Sequence, residues 1–345
     1  MTIRITRRLG ALAAAVALTA GTLAACGDSG DAKNAAIGKD GSIDFSKVTL
    51  HLGDQKGAGL QALLNAAGQL NGVKYKVNWA MFTSGPPILE AINAGAVDFG
   101  YVGNTPPIFS AAARSNIRIV GAFDISLAGQ AILVPKGSTL RTAADLKGKK
   151  IAVAKGSSAH GHLLSVLKKN GLSLNDVQPQ YLQPSDSLAA FSAGKIDALA
   201  IWEPYTAQVE AQTGGRILLD GNGYTNGYAF AVTSKKVLGD KARTAALKDF
   251  VGRYQRAIAW ADAHRPEWAK LWAQQTGLSV PVSQKAVDRK VTKVIPIDDT
   301  VVNSEQQLAD LFSDAKVLPG KVKIDDFFDR RFNDLATTSG KAATP

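Results

Sequence analysis

Residues 151–171 read I-A-V-A-K-G-S-S-A-H-G-H-L-L-S-V-L-K-K-N-G. Residues 151–154 are a short apolar run, the mark of a buried strand. Lys155-Gly156-Ser157-Ser158 is a tight turn, after which Ala159, Leu163, Val166 and Leu167 recur at helical spacing. Lys168 and Lys169 suit the last turn of a helix, and Asn170-Gly171 closes it. The unit is therefore strand, turn, helix, and the helix begins with two serines. Opening N–H groups and the positive end of the helix dipole make such a terminus attractive to an anion. A serine there also caps the helix, which most helices require. Both roles stay open for Ser157 and Ser158.

The same unit recurs along the chain. Residues 48–53, 73–82, 97–102 and 117–123 read as strands, with helices over 60–70 and 88–94. Ser84-Gly85-Pro86-Pro87 opens the second of these helices, with proline at its favoured position. Gly103-Asn104-Thr105-Pro106 opens a further helix. Alternating strands and helices predict an α/β fold with largely parallel sheet. Residues 84–104 then align with residues 183–203 at an offset of 99. Leu89-Glu90-Ala91 faces Leu188-Ala189-Ala190, Gly95 faces Gly194, and Asp98 faces Asp197. The repeat predicts two similar lobes with loops at the strand ends facing a cleft. Apolar runs at 131–134 and 228–232 are the expected crossings between lobes. The C-terminal part turns helical over 241–263, 265–277, 281–290 and 304–314 and is expected to pack back on the first lobe. Trp260, Trp268 and Trp272 read there as core.

The chain has 345 residues, 46% hydrophobic and 20% charged, enough for two lobes. Arg4, Arg7 and Arg8 precede an apolar Ala-rich stretch, then Leu23-Ala24-Ala25-Cys26. This is the layout of a secretory signal. Cys26 is the single cysteine and stands where a bacterial lipobox needs it, so lipidation at Cys26 is expected. Removing residues 1–25 lowers the net charge from +11 to +8. The remaining lysines are dispersed, with no aromatic-basic stripe for nucleic acid. The organisation expected is 1–25 signal peptide, 26–46 flexible tether, 47–131 first part of lobe 1, 132–229 lobe 2, 230–334 second part of lobe 1, and 335–345 flexible tail.

The four histidines form no metal pattern, and neither a Gly-x-Ser-x-Gly turn nor a Walker loop occurs. Asp98 and Asp197 read as turn residues after Gly95 and Gly194. No catalytic residues, metal or cofactor are expected. Neutral donors are plentiful instead: Gln55, Ser84-Gly85, Asn104-Thr105 and Ser157-Ser158 all fall at predicted strand-to-helix loops. Trp202 reads equally as an apolar cleft wall or as a lobe-core tryptophan.

Several segments together resemble the aliphatic sulfonate-binding proteins of ABC importers. They include Asp54-Gln55-Lys56-Gly57, Gly85-Pro86-Pro87-Ile88-Leu89-Glu90-Ala91, Val97-Asp98-Phe99-Gly100-Tyr101-Val102-Gly103-Asn104-Thr105-Pro106-Pro107, Lys155-Gly156-Ser157-Ser158-Ala159-His160 and Asp197-Ala198-Leu199-Ala200-Ile201-Trp202-Glu203-Pro204. The resemblance runs from about residue 48 to 314. It implies a two-lobed type II periplasmic-binding-protein fold, each lobe a mainly parallel sheet flanked by helices, with two hinge crossings. It implies ligand contacts at Gln55, Ser84, Gly85, Asn104, Thr105, Ser157, Ser158, His160, Trp202 and Glu203. Many relatives carry aspartate where this chain has Asn104 and Glu203, and a neutral Asn104 favours a plain alkyl sulfonate over an aminosulfonate. The expected partners are a small anionic sulfonate, an ABC permease and, through the anchor, the membrane, with the protein a monomer outside the cytoplasm. Taurine, nitrate or a thiamine-type pyrimidine are the alternative ligands, and an enzyme of pyrimidine-precursor synthesis on the same fold is the alternative of another class.

Overall fold

The computed structural model describes residues 36–57 and 59–339. Residues 1–25, expected as a signal peptide, and Cys26 lie outside the described residues. Two mixed sheets form two lobes. In lobe 1, β1 (Thr49–Gln55), β2 (Lys76–Phe82), β3 (Phe99–Gly103), β4 (Ile117–Ile125), β10 (Tyr228–Ser234) and β11 (Thr292–Ile295) lie in the order β11-β4-β10-β3-β1-β2. In lobe 2, β5 (Ala131–Val134), β6 (Lys150–Val153), β7 (Gln178–Tyr181), β8 (Ala198–Ile201) and β9 (Arg216–Asp220) lie in the order β7-β6-β8-β5-β9.

The parallel expectation holds for β2-β1-β3 and β7-β6-β8. The strands next to them, β10 and β5, run antiparallel to their neighbours. These two are the strands that enter from the other lobe, with no crossover helix of their own to reverse them. Residues 131–134 and 228–232, expected as the crossings, are thus strands inside the sheets. The chain passes between lobes just before them, at 126–130 and 221–227.

The repeat is built into the hydrogen bonds. The Asp98 carboxylate accepts the His51 N–H at 2.8 Å, and the Asp98 N–H donates to His51 O at 2.7 Å. The Asp197 carboxylate accepts the Lys150 N–H at 2.8 Å, and its own N–H donates to Lys150 O at 2.9 Å. Each aspartate thereby ties the start of its strand to the strand beside it, as the turn reading expected. Gly95 and Gly194, three residues earlier, both take left-handed backbone, at φ of 77° and 64°. Helix α2 (Gly85–Ala94) in lobe 1 and α5 (Pro184–Ser192) in lobe 2 precede these glycines. They complete the pair of matching helix–strand units.

The other helices are α1 (Leu60–Ala66), α3 (Thr105–Ala112), α4 (Ser158–Lys169), α6 (Tyr205–Thr213), α7 (Lys235–Leu238), α8 (Lys241–Ala263), α9 (Arg265–Thr276), α10 (Val280–Arg289), α11 (Asp299–Asp314) and α12 (Asn333–Ser339). Helices α8 and α9 pack on lobe 1, with Phe250, Trp268 and Trp272 in its core beside Leu50 and Phe99. Trp260 is only partly buried and stacks on His264. The lobes also touch through apolar side chains. Leu164 of α4 in lobe 2 joins Ile108 of α3 and Leu308 and Phe312 of α11 in a shared cluster. At both ends the chain departs from expectation. Ile37 bridges Ile43, and Ala36 is buried in the lobe 1 core, so residues 36–46 are folded rather than a tether. Residues 335–339 belong to α12 rather than to a loose tail. In each case an apolar residue, Ala36 or Leu335, packs on lobe 1. Among the described residues no helix is long and apolar enough to cross a membrane.

Candidate functional site

The strand ends β1, β3, β6 and β8 converge on a cavity of about 80 Å³ between the lobes. That is room for several waters or the head of a small organic anion. Of the residues read from the sequence, Gln55, Gly85, Ser157, Ser158, Trp202 and Glu203 line it. Tyr101, Gln130, Arg289 and Lys290 line it too and were not foreseen.

Ser157 is the N-cap of α4. Its hydroxyl donates to Ala154 O at 2.7 Å and accepts the His160 N–H at 3.4 Å. Its role in the fold is therefore occupied on both sides. Ser158 opens the helix, with its hydroxyl 3.4 Å from Gln130 Oε1. Gln130 comes from the first crossing, is 6% exposed, and its Nε2 has no partner among the described residues. A buried amide donor left unpaired costs about 1–3 kcal/mol. Gly103 of β3 sits so close that a Cβ there would lie 2.8 Å from Ser158 Cβ. Only glycine lets lobe 1 approach this terminus.

On a second stretch of wall, Gly57 lies against the Trp202 indole, where an added Cβ would come 3.1 Å from its Nε1. Trp202 is half-buried and meets the Tyr205 ring edge-on at 5.9 Å. It also packs on the lobe 2 core, so both readings of this residue apply at once. Glu203 is 3% exposed. Its carboxylate accepts the Ala207 N–H at 3.0 Å and faces Arg289 Nη1 at 3.3 Å. Burial pushes its pKa up, against the pull of that N–H and of Arg289. Arg289 is itself bonded to Glu210 at 2.6 Å. Gln55 donates through Nε2 to Tyr101 O at 3.0 Å.

Four expected contacts do not line the cavity. Ser84 is fully buried and donates to Gln183 Oε1 at 2.9 Å, across the lobes. These two residues occupy equivalent places in the repeat. Asn104 donates to Thr225 Oγ1 at 3.0 Å and Asn226 Oδ1 at 2.7 Å, both in the second crossing. Thr105 donates to Asn104 Oδ1 at 3.0 Å. Asn104 and Thr105 thus brace the crossing. His160 is fully buried between the Phe312, Tyr181 and Phe109 rings, at centroid distances of 5.2, 5.5 and 6.0 Å. Its Nδ1 accepts the Gly156 N–H at 3.2 Å. It fills the lobe interface behind the turn rather than the cavity in front of it. Among the described residues no group of His, Cys, Asp and Glu is placed to hold a metal ion.

Burial pushes His160 and His162 down to a pKa of about 4. In the unfolded chain both rings protonate near 6.5. Between these values the unfolded state binds more protons, so this contribution to stability rises with pH and is lost as pH falls toward 4. Burial pushes the Glu305 pKa well up, which acts in the opposite sense as pH rises through the ordinary carboxylate range. Comparing wild type with His162→Gln isolates the ring. Urea unfolding is expected to show the wild type losing more stability than the variant between about pH 6.5 and 4.5, by up to about 1.4 kcal/mol per pH unit. Parallel pH profiles would contradict this.

Two α/β lobes joined by two crossings, with matching strand ends turned on one interlobe cavity, define a solute-binding protein of the periplasmic type. The chain belongs to the NMT1-like family, which it matches over residues 54–279. An aliphatic sulfonates-binding protein of Escherichia coli (strain K12) is 36% identical over 287 residues, covering 82% of this chain and 89% of that protein. The structure of an alkanesulfonate-binding protein from Xanthomonas axonopodis pv. citri, bound to MOPS, superposes with a TM-score of 0.77 at 35% identity, covering 82% of this chain and 98% of that one. The periplasmic aliphatic sulphonate binding protein from Escherichia coli does so with a TM-score of 0.72 at 35% identity, covering 81% and 91%.

Proposed function

We propose that this protein is an extracytoplasmic, lipid-anchored binding protein that captures a small organic sulfonate and delivers it to an ABC permease for sulfur uptake. It performs no chemistry on the ligand. The observation that carries the reading is the wall of the cavity at the start of α4. Ser158 in the first turn of the helix and Gln130, whose Nε2 has no partner among the described residues, gather there. A sulfonate is anionic at any ordinary pH and presents three acceptor oxygens. It suits neutral donors and a helix N-terminus without needing a cation beside it. The relatives named as sulfonate-binding proteins support the same ligand class. Tyr101, Pro106 and Trp202 offer the apolar remainder of the wall to an alkyl chain. Ligand-dependent melting against a panel of alkanesulfonates, taurine, nitrate and thiamine precursors tests the assignment. An alkanesulfonate at about a hundred times its Kd should stabilise the protein by about 2.7 kcal/mol. Stabilisation by nitrate or a pyrimidine alone would replace the sulfonate with that ligand.

The anchor rests on the sequence around Cys26. Cys26→Ser is expected to release the mature protein from the membrane fraction, since the acyl chains supply the membrane affinity. Fractionation showing equal membrane retention of the variant would contradict the lipoprotein reading.

A further inference from the structure

The cavity has a second polar corner, formed around Lys290, which follows helix α10. The Lys290 ammonium donates to Gly57 O at 3.1 Å and lies 5.3 Å from the centroid of the Trp272 ring. The side chain is half-buried, and burial pulls its pKa down to about 8 while Asp54 and Glu203 hold it up. Those two carboxylates are committed elsewhere. Asp54 accepts the N–H groups of Gln55, Leu60 and Gln61 at 2.7, 3.0 and 2.9 Å, capping α1. Glu203 is held between the Ala207 N–H and Arg289. An ammonium has three donors, and a desolvated one is costly unless they are used. Its hydrogen bond to Gly57 O goes to a neutral carbonyl, while the side chain forms part of the cavity wall.

This corner is separate from the α4 terminus in its contacts. Lys290 touches Gly57 and the Trp272 ring, whereas Ser158 touches Gln130 and Gly103. A ligand held at the α4 terminus by neutral donors leaves Lys290 without a direct ion-pair partner among the described residues. We propose that Lys290 is a second anchor, selecting sulfonates that carry another acidic group, such as a carboxylate, on the alkyl chain. The inference rests on the sulfonate head sitting at α4.

The test pairs 3-sulfopropanoate with butane-1-sulfonate, whose terminal methyl takes the place of a carboxylate oxygen, in calorimetric titrations. One charge-assisted bond to Lys290 should make 3-sulfopropanoate bind the wild type at least about tenfold more tightly. In Lys290→Met that preference should vanish, with butane-1-sulfonate held as well as before. Equal affinities in the wild type would overturn the proposal without any variant being needed. So would a Lys290→Met protein that loses butane-1-sulfonate as severely as 3-sulfopropanoate, since Lys290 would then hold the sulfonate itself. If the wild type binds neither probe nor any other sulfonate, the sulfonate reading itself fails, and the second anchor falls with it.

Discussion

Replacing Ser158 by aspartate is expected to abolish sulfonate binding and leave the fold intact. Aspartate in the first turn of a helix suits the dipole and stabilises it by about 0.3–1 kcal/mol. Among the described residues the Ser158 hydroxyl makes one hydrogen bond, the 3.4 Å approach to Gln130 Oε1, and none that the fold depends on. A fixed carboxylate there would stand about 4 Å from the incoming anion, costing roughly 4 kcal/mol at an effective dielectric of 20, or on the order of a thousandfold in affinity. Ser158→Ala removes only a donor and should cost about 1.5–3 kcal/mol of binding. Ser157 cannot serve in the same experiment, because its hydroxyl donates to Ala154 O and an aspartate has no proton to give. Circular dichroism and calorimetric titration together check the prediction. A folded Ser158→Asp protein with undiminished affinity would remove the anion from this helix.

The second large effect is structural. Phe312 of α11 is fully buried, with its ring 5.2 Å from both Phe109 and His160. It is therefore packed by both lobes at once. Phe312→Ala should lower the free energy of unfolding by about 3–5 kcal/mol, from lost transfer energy and the cavity left behind. That is a large part of the 5–15 kcal/mol typical of a whole domain. Urea denaturation monitored by tryptophan fluorescence reads the loss. A change below about 1 kcal/mol would show that the lobes do not pack through this ring in solution.

What the sequence revealed follows from how local each signal is. The helix–glycine–strand units at 85–103 and 184–201 were legible because a left-handed glycine, an aspartate and an apolar run lie within a few residues of each other. The aspartate's bond to a strand 47 residues earlier then repeats in both lobes. The α4 terminus was legible for the same reason. His160 and Ser84 lie off the cavity wall because their partners, Phe312 and Gln183, belong to the facing lobe, and nothing local reports which side of a turn meets it. Asn104 was assigned to the ligand although it braces the second crossing, whose residues Thr225 and Asn226 carry no motif of their own. Lys290 was invisible. It ends a helix whose lysines and arginines read as solvated surface, and only the return of the C-terminal helices onto lobe 1 brings it beside Gly57. The antiparallel strands β5 and β10 were also out of reach, since their apolar runs fit a crossing as well as a sheet strand.

The most direct test of the account is a crystal structure of the protein with ethanesulfonate bound. The account predicts the sulfonate between the lobes, its oxygens within hydrogen-bond distance of Ser158 and Gln130 Nε2 and of the opening N–H groups of α4, and the ethyl group toward Trp202. A sulfonate seated instead on Lys290 or Arg289, with the α4 terminus left to water, would contradict it.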